Sequence, residues 1–368
     1  MRLLFLCPDM HRGGAERQWA TLIPALARRG AEVRLVCLYD EGALFEEVSA
    51  AGVPSVCLGL RGPGDPRGLR GVLAEARGRP GAVVTRTVSP QLLGQVIARR
   101  AGAVHVFNEH TPLTPAGKLL AMSPRQRLLT RLVAPRVDRV IQVSERQAAP
   151  LVRLGYRRER IVTVPNGVFG TGSERSVDRA AVRASLGLGD GEFAVLCVAN
   201  LRLEKGGAAF VEAVARARSE GAGQLRGLIA GDGPERERLE RLAGDAAGVR
   251  LLGSRGDVPD LMVACDAVAL LSEAEALPMS ILEAMAIARP VVTTDVGGAA
   301  EAVSDGETGI VVPPGDTAAA AAALATLAAD PARAREMGEA GHIRQRQRFS
   351  GEAMVEGYWR ALEEVATR

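Results

Sequence analysis

The sequence is organised around the stretch at 272–286, which is Ser-Glu-Ala-Glu-Ala-Leu-Pro-Met-Ser-Ile-Leu-Glu-Ala-Met-Ala. The residues just before it, at 267–271, are apolar and typical of a buried strand. Within it, Pro278 suits the first position of a helix that we expect to continue to about residue 288. The stretch therefore predicts a strand, a loop and a helix in succession.

The expected start of this helix suits an anion. Its capping position falls on Leu277, which offers no side-chain acceptor, so the first backbone amides have no obvious partner. The residues that we expect to line an anion site here are Leu277, Pro278, Met279 and Ser280.

Two glutamates flank this site, Glu275 in the loop and Glu283 within the helix. A carboxylate near an anion site makes sense when its target is a diol, since it accepts two strong hydrogen bonds from hydroxyl groups. Sugar and ribose hydroxyls fit that requirement. The alternative is an ordinary strand–loop–helix unit with two solvated glutamates.

Composition places the chain among globular proteins. Its 368 residues suffice for two domains, and it is 47% apolar and 24% charged. Its apolar runs are far shorter than the roughly 20 residues that span a bilayer, and the opening segment predicts a strand, not a signal peptide. We therefore expect a cytoplasmic protein.

Cysteine and histidine usage gives no sign of a metal site or a disulfide framework. The five cysteines are scattered without a Cys-x-x-Cys pair, and the four histidines lack metal-ligand spacing. We expect no metal and no cofactor.

The net charge of +3 conceals a strong asymmetry between the two halves. Residues 1–168 carry a net charge of +12, whereas residues 169–368 carry −9. Two halves of opposite sign predict two domains with different partners, and the basic half suits an anionic one.

Strand-like and helix-length segments alternate along both halves, a pattern typical of doubly wound parallel α/β sheets. We predict one Rossmann-like domain over 1–168, a linker at 170–192 and a second such domain over 169–349. A last helix at about 350–368 has an apolar stripe that needs a packing surface. The predicted strands are 3–7, 32–38, 53–58, 82–85, 104–107, 139–143, 161–164, 193–199, 225–230, 249–252, 267–271, 291–294 and 309–312. The predicted helices include 14–29, 66–78, 89–101, 116–133, 145–154, 207–219, 235–243, 257–265, 278–288, 298–303 and 316–328.

Two loops of the first half carry candidate site residues. Gly13 and Gly14 open the first helix, where they allow close backbone approach to a negative group. His110 follows the fifth strand, at a sheet edge where it could orient a hydroxyl or take its proton. The alternatives are an ordinary strand-to-helix turn and an ordinary polar loop residue.

The loop after the first strand of the second half contains Asn200, Arg202 and Lys205. Only two lysines occur in the chain, at 118 and 205. Arg202 and Lys205 combine a planar fork with a mobile point charge, which suits a diphosphate; surface charge is the alternative. Gly231 belongs to a Gly-rich turn after the next strand.

Residues 125–139 hold five arginines among apolar residues at helical spacing. A basic amphipathic helix can lie on an anionic membrane surface, and an ordinary packed helix with a solvated basic face is the alternative. Residues 125–139 include no aromatic residue on which a base could stack, so we expect no nucleic-acid partner.

Taken together, these residues resemble the retaining glycosyltransferases of family 4, which have the GT-B fold. The resemblance extends from Gly13 to about Glu301. Its motifs are Gly13-Gly14-Ala15-Glu16, Asn166-Gly167-Val168, Arg202 with Lys205-Gly206, Gly231-Asp232-Gly233-Pro234, and Glu275 with Glu283.

The resemblance implies two Rossmann-like domains facing across a cleft, with the C-terminal helix crossing back to the first, acceptor-binding domain. It also implies a nucleotide-sugar donor, a UDP-sugar by family precedent, held mainly by the second domain. By the same resemblance, Glu283 holds ribose hydroxyls and Arg202 with Lys205 neutralises the diphosphate. Catalytic roles are implied for Glu275, His110, Arg202 and Lys205, and donor contacts for Gly13, Gly14, Asn200, Gly231 and residues 277–280.

One position departs from the family pattern, because Ala276 stands where a glycine usually follows the first motif glutamate. Its methyl group could reshape the sugar pocket. The resemblance implies a metal-independent hexosyl- or N-acetylhexosaminyltransferase in the synthesis of bacterial surface polysaccharide, such as lipopolysaccharide or capsule, or another glycoconjugate. The alternatives are a sugar-nucleotide epimerase or phosphorylase on the same fold, and a regulatory protein that binds a nucleotide-sugar.

Overall fold

The computed structural model describes residues 1–78, 80–120, 122–170, 177–244 and 248–366. They divide into two units. The first comprises Met1–Thr111, Gly117–Gly167 and Gly351–Arg368, and the second Pro112–Ala116 and Val168–Ser350.

The first unit contains a seven-stranded parallel sheet with the strand order β3-β2-β1-β4-β5-β6-β7. Its strands are β1 (Arg2–Cys7), β2 (Glu32–Cys37), β3 (Ser55–Cys57), β4 (Ala82–Arg86), β5 (Val104–Glu109), β6 (Arg139–Gln142) and β7 (Ile161–Thr163). Its helices are α1 (Gly14–Arg28), α2 (Phe45–Ala50), α3 (Arg67–Glu75), α4 (Val88–Ala101), α5 (Pro124–Val133), α6 (Ala148–Arg153) and the C-terminal helix Gly351–Ala366.

The second unit contains a six-stranded parallel sheet with the order β10-β9-β8-β11-β12-β13. Its strands are β8 (Phe193–Val198), β9 (Leu225–Ala230), β10 (Val249–Gly253), β11 (Ala267–Leu270), β12 (Val291–Thr294) and β13 (Gly309–Val312). Its helices are α7 (Arg179–Ser185), α8 (Gly207–Ser219), α9 (Arg236–Ala243), α10 (Val258–Ala264), α11 (Met279–Ala286), α12 (Ala299–Ala302), α13 (Thr317–Ala329) and α14 (Pro331–Arg348); the C-terminal helix is α15.

Both sheets have the strand order of a Rossmann-like domain, and the order reverses between β1 and β4 in one and between β8 and β11 in the other. Helices cover both faces, so the central strands are apolar along nearly their whole length and are buried. The predicted fold of two parallel α/β domains is confirmed.

Helix α15 packs against α1, β5 and β6 of the first unit, as the apolar stripe predicted. Tyr358 is fully buried, and its hydroxyl accepts a hydrogen bond of 3.0 Å from Gln18 Nε2. Next to it, the guanidinium of Arg29 lies 4.7 Å from the centre of the Trp359 ring. The chain therefore returns to its first unit through a specific contact.

Two sequence predictions of local structure are wrong, and one long helix was not predicted. The helix predicted at 116–133 begins only at Pro124. The linker predicted at 170–192 contains α7, whose buried face is formed by Arg183 in contact with Asp266; residues 171–176 lie outside the described part. The long helix α14 was not predicted because most of its buried residues are small and only Met337 among them is a large apolar residue. A Cβ on Gly338 would lie 2.1 Å from the Ala288 carbonyl oxygen.

The segment Pro112–Ala116, which the sequence places in the first domain, packs with the second unit. The backbone of Leu113 explains this, because its amide donates to the Glu275 carbonyl at 2.8 Å and its carbonyl accepts from the Glu275 amide at 3.2 Å.

We predict that Tyr358→Ala destabilises the first unit by about 3–5 kcal/mol, because it deletes a fully buried aromatic side chain. The control is Arg360→Ala on the exposed side of the same helix, with an expected effect within about 0.5 kcal/mol. Both tryptophans, Trp19 and Trp359, lie in the first unit, so urea unfolding followed by tryptophan fluorescence reports on this unit. Equal stability of the two variants would contradict docking through Tyr358.

Candidate functional site

In the second unit, the loops after β8 and β11 leave neighbouring strands where the strand order reverses. In open α/β sheets, ligands bind outside the carboxyl ends of strands at such a point. The first loop carries Arg202 and Lys205, and the second carries Glu275. Topology thus brings together residues that are far apart in sequence.

The two loops approach closely because the residue at their contact, Gly206, has no side chain. Gly206 has a φ of +69°, and a Cβ at this position would lie 1.8 Å from the Leu271 carbonyl oxygen. The amide of Glu273 also donates a 2.8 Å hydrogen bond to the carbonyl oxygen of Glu204. A side chain at position 206 would force the loops apart.

Lys205 and Glu275 form an ion pair in this contact, with 2.7 Å between Nζ and Oε1. The hydroxyl of Ser272 donates a second hydrogen bond of 2.8 Å to the same carboxylate oxygen. Only 5% of the Glu275 side chain and 24% of the Lys205 side chain are exposed. Such a buried carboxylate depends on its partner cation and donors, since its desolvation would otherwise be costly.

The backbone around Glu275 is held on both sides. Beyond its pairing with Leu113, its carbonyl oxygen lies where a Cβ on Gly297 would come within 1.8 Å. Ala276 is buried and does not lie in the left-handed region of backbone conformation. The methyl group at this position is therefore accommodated without backbone strain.

Helix α11 begins one residue later than predicted. Pro278 has extended backbone (φ −72°, ψ 129°) and is the N-cap, so Met279 is the first helical residue, not Pro278. No side-chain hydrogen bond caps this helix. The amides of Met279 and Ser280, in its first turn, therefore have no capping side chain as acceptor. Leu277 is buried just before the cap, and Glu283 lies half-buried within the helix.

The remaining predicted residues of this unit surround the same loop. Arg202 is exposed, with Nε 3.7 Å from Glu204 Oε1, and lines a small pocket together with Lys205. Asn200 is exposed in the loop. Gly231 has a φ of +153° and packs so closely that a Cβ would lie 1.9 Å from the Ala199 carbonyl oxygen. Its observed role is backbone packing, and donor contact remains a prediction.

In the first unit, Gly13 and Gly14 lie at the start of α1, after β1 and beside β4 at the other reversal of strand order. Gly13 is the N-cap, and a Cβ there would lie 2.2 Å from Glu16 Oε2. Glu16 Oε1 in turn lies 3.0 Å from Nη1 of Arg86, which ends β4 and is almost fully buried. The carboxylate of Glu16 therefore lies beside the helix start that the sequence predicts for a negative group.

His110 follows β5 in the same unit and is half-buried, with Nε2 2.8 Å from Asn108 Oδ1. Burial, and after it the positive charge of Arg86, lowers the pKa of His110 to about 3. The imidazole is therefore neutral at physiological pH and can accept a hydrogen bond through a ring nitrogen.

Three residues that contact the predicted ones had no role in the sequence interpretation: Ser272, Arg86 and Asn108. Arg86 could have been identified from the sequence, because an arginine at the end of an apolar strand lies at the carboxyl edge of a sheet. Ser272 and Asn108 are common polar residues, and only the structure shows their contacts. Within the described ranges, no group of three or more His, Cys, Asp or Glu residues is arranged to hold a metal ion.

We predict that Lys205→Met destabilises the second unit by about 3 kcal/mol, because it leaves the Glu275 carboxylate buried without its cation. The double variant Lys205→Met/Glu275→Gln should recover most of this loss. Arg202→Met, which removes an exposed cation three residues away, is the matched control and should change stability by less than about 0.5 kcal/mol. Calorimetric unfolding measures these three variants and Glu275→Gln alone, and additive effects of Lys205→Met and Glu275→Gln would exclude the coupling.

Comparison with known proteins places this geometry in a family. The family model for Glycosyltransferase Family 4 matches residues 12–169, and that for Glycosyl transferases group 1 matches residues 192–330. The D-inositol 3-phosphate glycosyltransferase of Rhodococcus erythropolis is 31% identical over 376 residues, covering 93% of this chain and 84% of the relative. The enzyme of the same name from Nocardia farcinica is 37% identical over 214 residues, 55% of this chain, and the match spans about half (47%) of that relative's length.

Among solved structures, HepE of Anabaena in complex with UDP-glucose has a TM-score of 0.86 at 24% identity, with complete coverage of both chains. This likeness shows the fold, two Rossmann-like parallel-sheet domains of the GT-B class. The family models cover most of the two units described above, and the Rhodococcus relative matches nearly the whole chain. The protein belongs to glycosyltransferase family 4.

Proposed function

We propose that this protein transfers a hexosyl or N-acetylhexosaminyl group from a nucleotide-sugar to a hydroxyl acceptor, with retention of anomeric configuration and without a metal ion. The observation that carries the proposal is the Lys205–Glu275 pair of 2.7 Å at the reversal of strand order. The exposed Arg202 lies in the same loop, and the uncapped start of α11 follows Glu275 in sequence. Cations and backbone donors thus accompany a carboxylate that suits hydroxyl groups.

The chemistry needs stabilisation of a departing diphosphate, on which negative charge develops as its bond to the sugar breaks. An ammonium group has three donors, so Lys205 keeps two for phosphate oxygens after binding Glu275. Arg202 is exposed and can present its planar fork to the same group. Losing one such donor typically raises the barrier by about 3–4 kcal/mol.

The two motif glutamates serve different hydroxyl groups in this proposal. Glu283, within α11, holds the ribose diol of the nucleotide, and Glu275 faces the donor sugar. A uridine nucleotide is our choice of donor, and the solved complex of HepE with UDP-glucose supports it for a protein of the same fold. Gly13, Gly14, Asn200, Gly231 and residues 277–280 complete the proposed donor contacts.

The acceptor is proposed to be anionic. The net charge of +12 over residues 1–168 favours such a substrate, and two relatives are named for D-inositol 3-phosphate, a phosphorylated compound. His110 is neutral and half-buried in this half of the chain, where it would orient the acceptor hydroxyl. A lipid-diphosphate-linked glycan of surface polysaccharide synthesis, made at the cytoplasmic side, has the required charge.

Helix α5 is the proposed contact with an anionic membrane surface. Leu128 and Leu132 lie one turn apart with 61% and 58% of their surfaces exposed, flanked by exposed arginines. The basic stretch predicted at 125–139 is shorter than expected, because Arg139 is buried in β6 and pairs with Glu364 at 2.8 Å. No helix in the part of the chain that the structure describes has the length and apolar character needed to cross a bilayer.

The first test is donor binding and slow hydrolysis across UDP-, GDP- and ADP-sugars, with a chelator present. We expect turnover of one donor, and a loss of about 10²–10³-fold in kcat for Lys205→Ala, since a cation on the leaving group is removed. Glu283→Ala should weaken donor binding, and His110→Ala should abolish transfer while leaving donor binding intact. Proton NMR of the product measures the anomeric configuration.

Arg216→Ala, which breaks an exposed i,i+4 pair on α8, is the matched control and should leave kcat and KM unchanged. Tight binding of a donor without turnover, even with lipid extracts and inositol 3-phosphate as acceptors, would contradict the transferase and favour a regulatory binding protein. Inversion of configuration would contradict the retaining mechanism alone.

For the membrane contact, we predict that Leu128→Ser/Leu132→Ser weakens binding to vesicles with anionic lipid by at least about tenfold, because two apolar side chains no longer insert. Ile343→Ser on α14, where an isoleucine is 58% exposed, is the matched control. Vesicle co-sedimentation at low and high salt measures both. Absence of binding by the unaltered protein at low salt would exclude this contact.

A further inference from the structure

The carboxamide of Asn108, at the end of β5, has a fixed orientation. Trp19 Nε1 donates a 2.6 Å hydrogen bond to Asn108 Oδ1, and Asn108 Nδ2 donates a 3.1 Å hydrogen bond to the carbonyl oxygen of Ile141. An indole N–H only donates and a backbone carbonyl only accepts. In the opposite orientation, the amide nitrogen would face the Trp19 N–H, donor to donor, and the amide oxygen would face the Ile141 carbonyl, acceptor to acceptor. The amide oxygen must therefore point towards Trp19.

This orientation determines where the proton of His110 resides. Its Nε2 lies 2.8 Å from the same Asn108 oxygen, which can only accept. The contact is a hydrogen bond only when Nε2 carries the proton, and with the proton on Nδ1 two lone pairs would oppose each other. Because burial and Arg86 lower the pKa of His110, the ring is neutral at physiological pH and its remaining lone pair is on Nδ1.

The groups that hold Asn108 are rigid. Trp19 is fully buried, and its ring meets the edge of Phe5 with 4.9 Å between ring centres. The guanidinium of Arg86 lies 5.0 Å from the centre of the Trp19 ring. Asn108 itself is 1% exposed in a central strand of the sheet, whereas His110 lies beyond the strand and is only half-buried.

We propose that Asn108, oriented by Trp19 and by the Ile141 carbonyl, is a positioning residue that keeps His110 protonated on Nε2 and directs its Nδ1 lone pair to a substrate hydroxyl. A hydrogen bond from that hydroxyl to Nδ1 would align its oxygen for the transfer. The assignment of the tautomer stands on the geometry of the first unit, and only the substrate contact rests on the proposed function.

Nitrogen-15 NMR of protein labelled in histidine tests the tautomer directly. The chain has only four histidines, His11, His105, His110 and His342, so single substitutions assign every signal. In the unaltered protein at neutral pH, we expect the His110 couplings of a ring protonated on Nε2. Signals of the other tautomer, or of an imidazolium, would overturn the proposal.

Asn108→Leu removes the amide oxygen, so we expect His110 to populate both tautomers and kcat for transfer to fall by about 10²-fold with the donor KM unchanged. This variant also leaves the Trp19 N–H without its acceptor. If it fails to fold, Trp19→Phe/Asn108→Leu removes that unpaired donor and permits the same measurements. A tautomer and a kcat that both remain unchanged would overturn the proposal, as would a changed tautomer with an unchanged kcat.

Two controls separate positioning from general loss of structure. Trp19→Phe alone keeps the link from Asn108 to Ile141, so the His110 tautomer should persist. Gln95→Leu makes the same kind of change beside His105, a fully buried histidine whose Nδ1 lies 3.0 Å from Gln95 Oε1. It should alter the His105 signals and leave those of His110 unchanged.

The proposed function and the role of Asn108 can be refuted separately. An active transferase whose His110 is protonated on Nδ1 retains the proposed function and overturns this inference. A protein that turns over no donor, yet shows the Nε2 tautomer and loses it in Asn108→Leu, refutes the proposed function and supports the assignment of Asn108.

Discussion

The contact between Lys205 and Glu275 is the interaction on which the second unit's site depends. A carboxylate that is 95% buried requires a cation and a hydroxyl donor at hydrogen-bond distance, and Lys205 and Ser272 supply them. Both loops must therefore approach closely, and Gly206 permits this by having no Cβ to meet the Leu271 carbonyl. The charges of the two loops thus fix their arrangement, and in the proposed function this preorganisation would lower the cost of arranging the site around a ligand.

The first unit also has polar side chains held by specific contacts at its reversal of strand order, but the groups differ. At its reversal of strand order, the buried Arg86 lies beside the Glu16 carboxylate and stacks near Trp19. A neutral hydrogen-bond chain from Trp19 through Asn108 reaches His110. The second unit therefore presents an ion pair, and the first presents a neutral imidazole. In the proposed function, the ion pair would serve the departing diphosphate and the imidazole would serve the acceptor hydroxyl.

Local pattern was sufficient to predict most of the fold. Strands such as Ala267–Leu270 are buried on both faces, so they are continuous apolar runs that can be recognised without alternation. Helices that bury few apolar residues were missed for the same reason. Helix α14 packs through Gly338 and Gly341, and α7 buries Arg183, so neither has a stripe that hydrophobicity could reveal. The start of α11 was misplaced by one residue because proline is compatible with both the cap and the first helical position.

The residues of the candidate site could be proposed from residue type, but their contacts could not be predicted. A lysine and a glutamate at strand ends indicate chemistry at the carboxyl edge, yet 70 residues separate Lys205 from Glu275. They meet because β9 pairs with one edge of β8 and β11 pairs with the other. This strand order cannot be read from the composition of the sequence or from the spacing of its motifs. The glycines at 206 and 297 reflect it only indirectly, since each marks a point where one loop's backbone lies against another's carbonyl. Close-packed backbone at a reversal of strand order is therefore the physical feature that converts scattered polar residues into one site.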